Sequence, residues 1–121
     1  MELTLVDENG IKVVEGRPDE KFMASVQDAD RLIEACFSGG ADAALLYSAN
    51  LTGAFFDLSS GEAGAILQKL RNYRIRLAVV CSPTGVVFSS RFGEMVAEER
   101  RDKHFGLFET RQAAREWLRQ A

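Results

Sequence analysis

Apolar and polar residues alternate in two short runs near the start of the chain, 2–7 and 11–15, separated by Asp7-Glu8-Asn9-Gly10. Alternation with period two predicts half-buried strands. Asn-Gly accepts positive φ at both turn centres, so the two runs are expected to pair as a β-hairpin. A polar stretch from Gly16 to Lys21, holding Pro18, reads as a loop.

The period then lengthens. Val26, Ala29, Ile33 and Cys36 recur at helical spacing behind a Ser25/Asp28 capping-box pattern, and Gly39-Gly40 ends the helix. Residues 43–48 (Ala-Ala-Leu-Leu-Tyr-Ser) form a short apolar run, as expected of a strand buried on both faces. A loop passes Asn50 and Gly53 to Phe55-Phe56-Asp57. Ser59 and Glu62 repeat the capping-box pattern, and Ala63, Ile66, Leu67 and Leu70 then stand at i, i+3, i+4 and i+7. Asn72 is expected to cap the end of this second helix, with Tyr73 packed and its hydroxyl partnered. Residues 75–81 form the clearest strand, ended by Pro83 and Gly85. Ser90 is expected to cap a third helix faced by Phe92, Met95 and Val96. Residues 104–108 form a last strand, and Thr110 caps a terminal helix whose stripe is Ala114, Trp117, Leu118 and Ala121.

The resulting order is β-β-α-β-α-β-α-β-α. It predicts one α/β domain over residues 1–121, with a central five-stranded mixed sheet and helices mainly on one face. Strands in simple sequential order would place every crossover helix on the same side. Arg76 would then lie on the other face with Val80 and one alternating set of the last strand. That half-apolar face is expected to meet a partner, a second copy in a C₂ dimer being the commonest solution.

Composition narrows the function. A chain of 121 residues suits one core without metal or disulfide staples. A net charge of −3 excludes a dedicated nucleic-acid binder, which needs a concentrated positive surface. The two basic clusters, Arg71/Arg74/Arg76 and Arg100/Arg101/Lys103, are expected as solvated faces. No apolar run approaches the ~20 residues that span a bilayer, and the first residues lack an export signal. No membrane partner and a cytoplasmic location are therefore expected. Cys36 and Cys81 sit in apolar stretches without C-x-x-C spacing and read as reduced, buried thiols, a disulfide between them being the alternative.

The sequence holds no G-x-S-x-G elbow, Walker A pattern, H-E-x-x-H or G-x-G-x-x-G, and His104 is its only histidine. No catalytic residue, cofactor or metal site is expected. The candidate binding residues surround the second helix. Ser59, Ser60 and Gly61 open it, where free N–H groups and the helix dipole favour an anion, the plainer role of Ser59 being a cap. Asp57 is a base or ligand if buried, and otherwise fixes its own loop. Asn50 lies just past the third strand, where open α/β sheets bind ligands. Gln68 and Lys69 flank the buried stripe as a polar docking surface.

The segment Phe55-Phe56-Asp57-Leu58, with Gly61, Ala63-Gly64, Ile66-Leu67-Gln68-Lys69 and Asn72-Tyr73, resembles a bacterial family of small stand-alone domains of unknown function. FFDL, a Gly, AG, ILQK and NY recur there at this spacing. Where that family usually shows Glu-Ser-Asn, this chain has Glu98-Glu99-Arg100. The element order is also similar to the STAS domain of anti-sigma-factor antagonists and sulfate-transporter tails. In those proteins an Asp-Ser-Ser/Thr-Gly helix start is phosphorylated by a partner kinase, which switches binding. Here the start is Leu58-Ser59-Ser60-Gly61, with the Asp one residue early at Asp57 and Glu62 after the Gly. The resemblance implies Ser60 as phosphoacceptor. It also implies a regulatory or protein-interaction module whose unidentified protein partner binds around the second helix. The alternative is a small-ligand-binding protein or minor enzyme using a pocket near Asn50, Asp57 and Ser60.

Overall fold

Strand β1 (Thr4–Glu8) turns back on β2 (Ile11–Glu15) through Gly10, whose φ of 81° is the left-handed conformation such a turn needs. The computed structural model describes residues 3–8, 10–18, 20–22, 26–51, 53–81 and 90–120. Asn9 of the hairpin, Ser25 of the first capping box, the strand stops Pro83 and Gly85, and Ala121 lie outside the described residues.

One 3-10 turn, Val26–Asp28, leads into α1 (Ala29–Gly39). Its buried stripe is Ala29, Leu32, Ile33 and Cys36, and Gly40 (φ 68°) closes it by donating to the Cys36 and Phe37 carbonyls. The chain continues through β3 (Ala43–Tyr47), α2 (Glu62–Asn72), β4 (Arg76–Val80), α3 (Ser90–Arg101), β5 (Phe105–Phe108) and α4 (Arg111–Arg119). Thr110 caps α4 as expected, its hydroxyl accepting from the Ala113 N–H at 3.1 Å. Ser90 is already the first residue of α3 rather than its cap. Asn72 is the last residue of α2. The cap is Tyr73, and the chain leaves through Arg74 at φ 57°.

The sheet order is β1-β2-β3-β4-β5, antiparallel only between β1 and β2. One face of the sheet presents Val14, Ala44, Leu46, Leu77, Val79 and Phe105 to α1, α2 and Phe92 of α3. Residues of opposite parity, among them Val13, Leu45, Ala78 and Phe108, meet Ala114, Trp117 and Leu118 of α4. The α/β class, the mixed five-stranded sheet and the three helices on one face follow the sequence pattern.

The second sheet face is where the outcome differs. It was expected to be covered by a partner, and α4 covers it from within the same chain. A terminal helix returns to no strand, so the crossover rule does not assign it a face. Arg76 does lie on that side, against Trp117. Of the two thiols, Cys36 is buried and Cys81 half-buried. Both are free, so no disulfide joins them.

Candidate functional site

The helix start between β3 and α2 is built on aromatic residues. Phe55 and Phe56 are buried, and the Phe55 ring contacts those of Phe56, Phe92 and Phe105 edge-on at 5.2, 6.1 and 5.9 Å. These anchors hold the 3-10 turn Gly53–Phe56 against the core, so Asp57 emerges at the surface.

Asp57 binds its own loop. Its Oδ1 accepts the Ser59 hydroxyl at 2.6 Å and the Ser59 N–H at 3.1 Å. The Ser59/Glu62 capping box does not form. The Ser60 Oγ accepts the Glu62 N–H at 3.2 Å and lies 2.6 and 2.7 Å from the Ala54 and Asp57 carbonyls, between which its one proton is shared, while Gly61 is the N-cap. Gly61, at φ 79°, then turns the chain into α2. The 3-10 turn Leu58–Ser60 precedes Gly61, so Ser59 lies two residues before the N-cap of α2 rather than at it.

Asn50 is brought to a different place. It is fully buried, with Oδ1 accepting the Tyr47 N–H at 2.7 Å and Nδ2 donating to the Arg17 and Glu20 carbonyls at 2.7 and 2.5 Å. This side chain pins the loop after β2 to the end of β3. A Cβ on Gly16 would stand 2.5 Å from the Asn50 Oδ1, so glycine is needed there. Asp57 and Ser60 are neighbours, whereas the Asn50 side chain bonds Tyr47, Arg17 and Glu20 at the β2–β3 end.

Gln68 and Lys69 are on the outer side of α2. Gln68 bonds Asn72 at 2.9 Å, and Lys69 Nζ reaches Asp30 of α1 at 2.9 Å, tying the two helices. Beside this tie lies a pair the sequence pattern did not mark. Phe37 of α1 and Tyr73 are 65 and 52 % exposed, and their rings meet edge-to-face at 5.5 Å. The signal in the sequence was Phe37 falling off the α1 stripe. Tyr73 was expected to pack inward, and the end of α2 turns it outward.

A second missed feature is Glu15, buried at the end of β2. Arg111 donates to both its oxygens at 2.9 and 2.8 Å, and Arg115 donates to Oε2 at 2.6 Å. Tyr47 stands near this cluster; burial, then the Glu15 charge, raise its pKa, with Arg111 opposing. Burial, reinforced by Asp42, pushes the Cys36 thiol up to about 11, and burial followed by Glu109 raises that of Cys81. Neither is an activated thiolate. Among the described residues no group of three or more His, Cys, Asp or Glu side chains could hold a metal ion, and no helix is long and apolar enough to cross a membrane.

The family model described as a domain of unknown function (DUF4180) matches residues 8–118, and the chain belongs to that family. This agrees with the resemblance carried by the FFDL-to-NY segment. No curated protein and no solved structure matches the chain.

Proposed function

We propose that the protein is an interaction module that docks a protein partner through the α1–α2 face, with Phe37 and Tyr73 as anchors. The observation that carries this reading is their joint exposure, 65 and 52 %, in one edge-to-face pair outside both cores. Two adjoining exposed aromatics are the side chains that most often anchor a partner. The Lys69–Asp30 contact supports it, because it fixes the two helices that present the pair.

Regulation in this reading sits at the start of α2, as the likeness to STAS helix starts suggests. A phosphoryl group on Ser60 would displace its hydroxyl from the Ala54 and Asp57 carbonyls and add about −1.5 to −2 charge beside Asp57. The turn that positions α2 would loosen, and the docking face with it.

A photo-crosslinking residue at position 72, beside the pair, tests the reading in the source cell. A discrete adduct with another protein is expected, and it should vanish in Phe37→Ser/Tyr73→Ser at unchanged thermal midpoint. An adduct only with a second copy would recast the module as a homodimer. An adduct that survives the double substitution would overturn the docking site.

A further inference from the structure

Strand β1 is the outermost strand of the sheet, and its free side is exposed. Gly16 N–H donates to the Leu45 carbonyl at 3.0 Å. Backbone groups of alternate residues point to alternate sides of a strand, so Lys12 and Val14 also turn theirs toward β3. Ile11, Val13 and Glu15 then face β1, where they stand opposite Glu8, Val6 and Thr4. The residues between, Leu5 and Asp7, direct their N–H and C=O groups away from the sheet, as does Leu3 before them. Thr4, Leu5 and Asp7 are exposed, and no strand lies beyond β1 among the described residues. An open edge of this kind is a template for another strand.

The side chains decide which strand fits. Leu5 stands beside Val14 in the register, so Leu3, Leu5 and Asp7 share the α1 side of the sheet. Leu5 is 44 % exposed and leans on Gly39 at the end of α1, where a Cβ would lie 3.0 Å from it. A second copy running antiparallel about Thr4 sets its Leu3 opposite Leu5 and its Leu5 opposite Leu3. Pairing about Leu5 or about Val6 would instead set the Asp7 carboxylate against a leucine. The strand is therefore its own complement in the register about Thr4, with its acidic residue outside the paired residues 3–5.

We infer that the protein self-associates through this edge, two copies pairing β1 antiparallel about Thr4 into one continuous sheet. Leu3 and Leu5 of each copy exchange backbone bonds across the joint and cover one another's side chains. Thr4 meets Thr4 of the second copy at the two-fold axis, a favourable cross-strand pair. The joint lies at the sheet edge, and the face under α4 stays covered within each chain. It is separate from the α1–α2 face and does not rest on that reading.

Sedimentation equilibrium of the full chain is expected to show a species of twice 13.4 kDa that grows with concentration. Amide exchange at Leu3 and Leu5 should slow in step with it. Leu5→Pro removes an outward donor, keeps the β1–β2 bonds and should abolish the dimer. Leu5→Lys, which sets a charge at the edge and removes the apolar contact, should weaken it by about tenfold or more and serves if the proline variant fails to fold. Disulfide formation reads the register. In a Cys81→Ala background, Thr4→Cys should cross-link about tenfold faster than Asp7→Cys, because opposed residues of a non-hydrogen-bonded pair lie ~4.5 Å apart at Cα, within reach of a disulfide. A monomer at every concentration, a dimer untouched by the folded Leu5 variants, or equal cross-linking at positions 4 and 7 would overturn the inference. So would a dimer that slows exchange elsewhere and leaves Leu5 unprotected.

Discussion

The guanidinium of Arg76 lies over the ring of Trp117, 4.6 Å from its centre. The same group donates to the carbonyls of Leu118 and Trp117 at 2.9 and 3.1 Å, and through Nε to that of Lys103 at 2.9 Å. The last carbonyls of a helix have no partner within it, and a cation there also suits the helix dipole. One side chain from β4 thus closes α4 and the turn before β5. Phe108 follows the indole at 5.4 Å, and Arg100 lies over Phe108 in turn. This series of cations and rings is what holds α4 on the second sheet face.

Trp117→Ala should therefore cost about 3–5 kcal/mol, the range for a large aromatic leaving a core cavity. Arg76→Leu keeps some of the packing and removes the donors, for a smaller loss of about 1–3 kcal/mol. Urea titration followed by circular dichroism checks both. A Trp117→Ala midpoint equal to wild type would mean that α4 contributes nothing to stability.

Asn50 makes a different prediction from that of a ligand-binding residue. Asn50→Ala orphans the Arg17 and Glu20 carbonyls and the Tyr47 N–H, all pointed at a buried atom. The expected cost is about 3 kcal/mol or more, given ~1–3 kcal/mol for each of the three groups left unpaired. Asn50→Asp should be worse, because it sets a carboxylate oxygen against two carbonyls. Thermal unfolding of the two variants gives the order.

At the start of α2 the serines should separate. Ser60→Ala removes the acceptor of the Glu62 N–H and the bonds to the Ala54 and Asp57 carbonyls and should cost about 1 kcal/mol. Ser59→Ala loses an exposed contact to Asp57 and should stay within about 0.5 kcal/mol of wild type. Equal losses would contradict this difference between the two serines.

Periodicity carried most of the fold. The stripe Ala63, Ile66, Leu67 and Leu70 is the buried face of α2, and the apolar run 43–48 supplies β3 (Ala43–Tyr47), buried on both sides, with Ser48 opening the 3-10 turn after it. Those features depend on neighbours in sequence. Ser59 was not legible as lying outside the cap position, because a 3-10 turn and an α-helix differ in where the first free N–H falls. The face taken by α4 was not legible, since no rule assigns a side to a helix after the last strand. The Glu15 cluster was also hidden: Arg111 and Arg115 stand one helical turn apart, but their acceptor lies about a hundred residues away, and only the sheet brings it there.

The Cys36 thiol predicts a pH effect with a defined sign. Burial favours the neutral form and raises its pKa from 9.0 to about 11. The unfolded chain loses this proton first as pH rises. The stabilising contribution is complete below pH 9 and is lost between 9 and 11. Cys36→Ala removes this dependence, so the stability gap between wild type and variant should narrow over that window. At neutral pH a thiol reagent should modify half-buried Cys81 well before Cys36. Simultaneous modification of both in the folded protein would overturn the order.

Glu15 and Arg115 are both buried, and Arg111 shares the same carboxylate. Removing one partner of a buried ion pair leaves a desolvated charge, which typically costs about 3–5 kcal/mol. Glu15→Leu should fall in that range, since it removes the carboxylate to which buried Arg115 donates at 2.6 Å. Arg115→Met strands the carboxylate, but Arg111 still donates to both its oxygens, so the loss should be smaller. Combining the two replaces the pair with apolar groups of similar size and should recover most of the loss. A double-mutant cycle in urea reads the coupling directly. Additive losses would show that the two side chains act independently. In that case the contact would owe its place to the packing of α4 on Val13 and Leu45, and the ion pair would contribute nothing to joining β2 and α4.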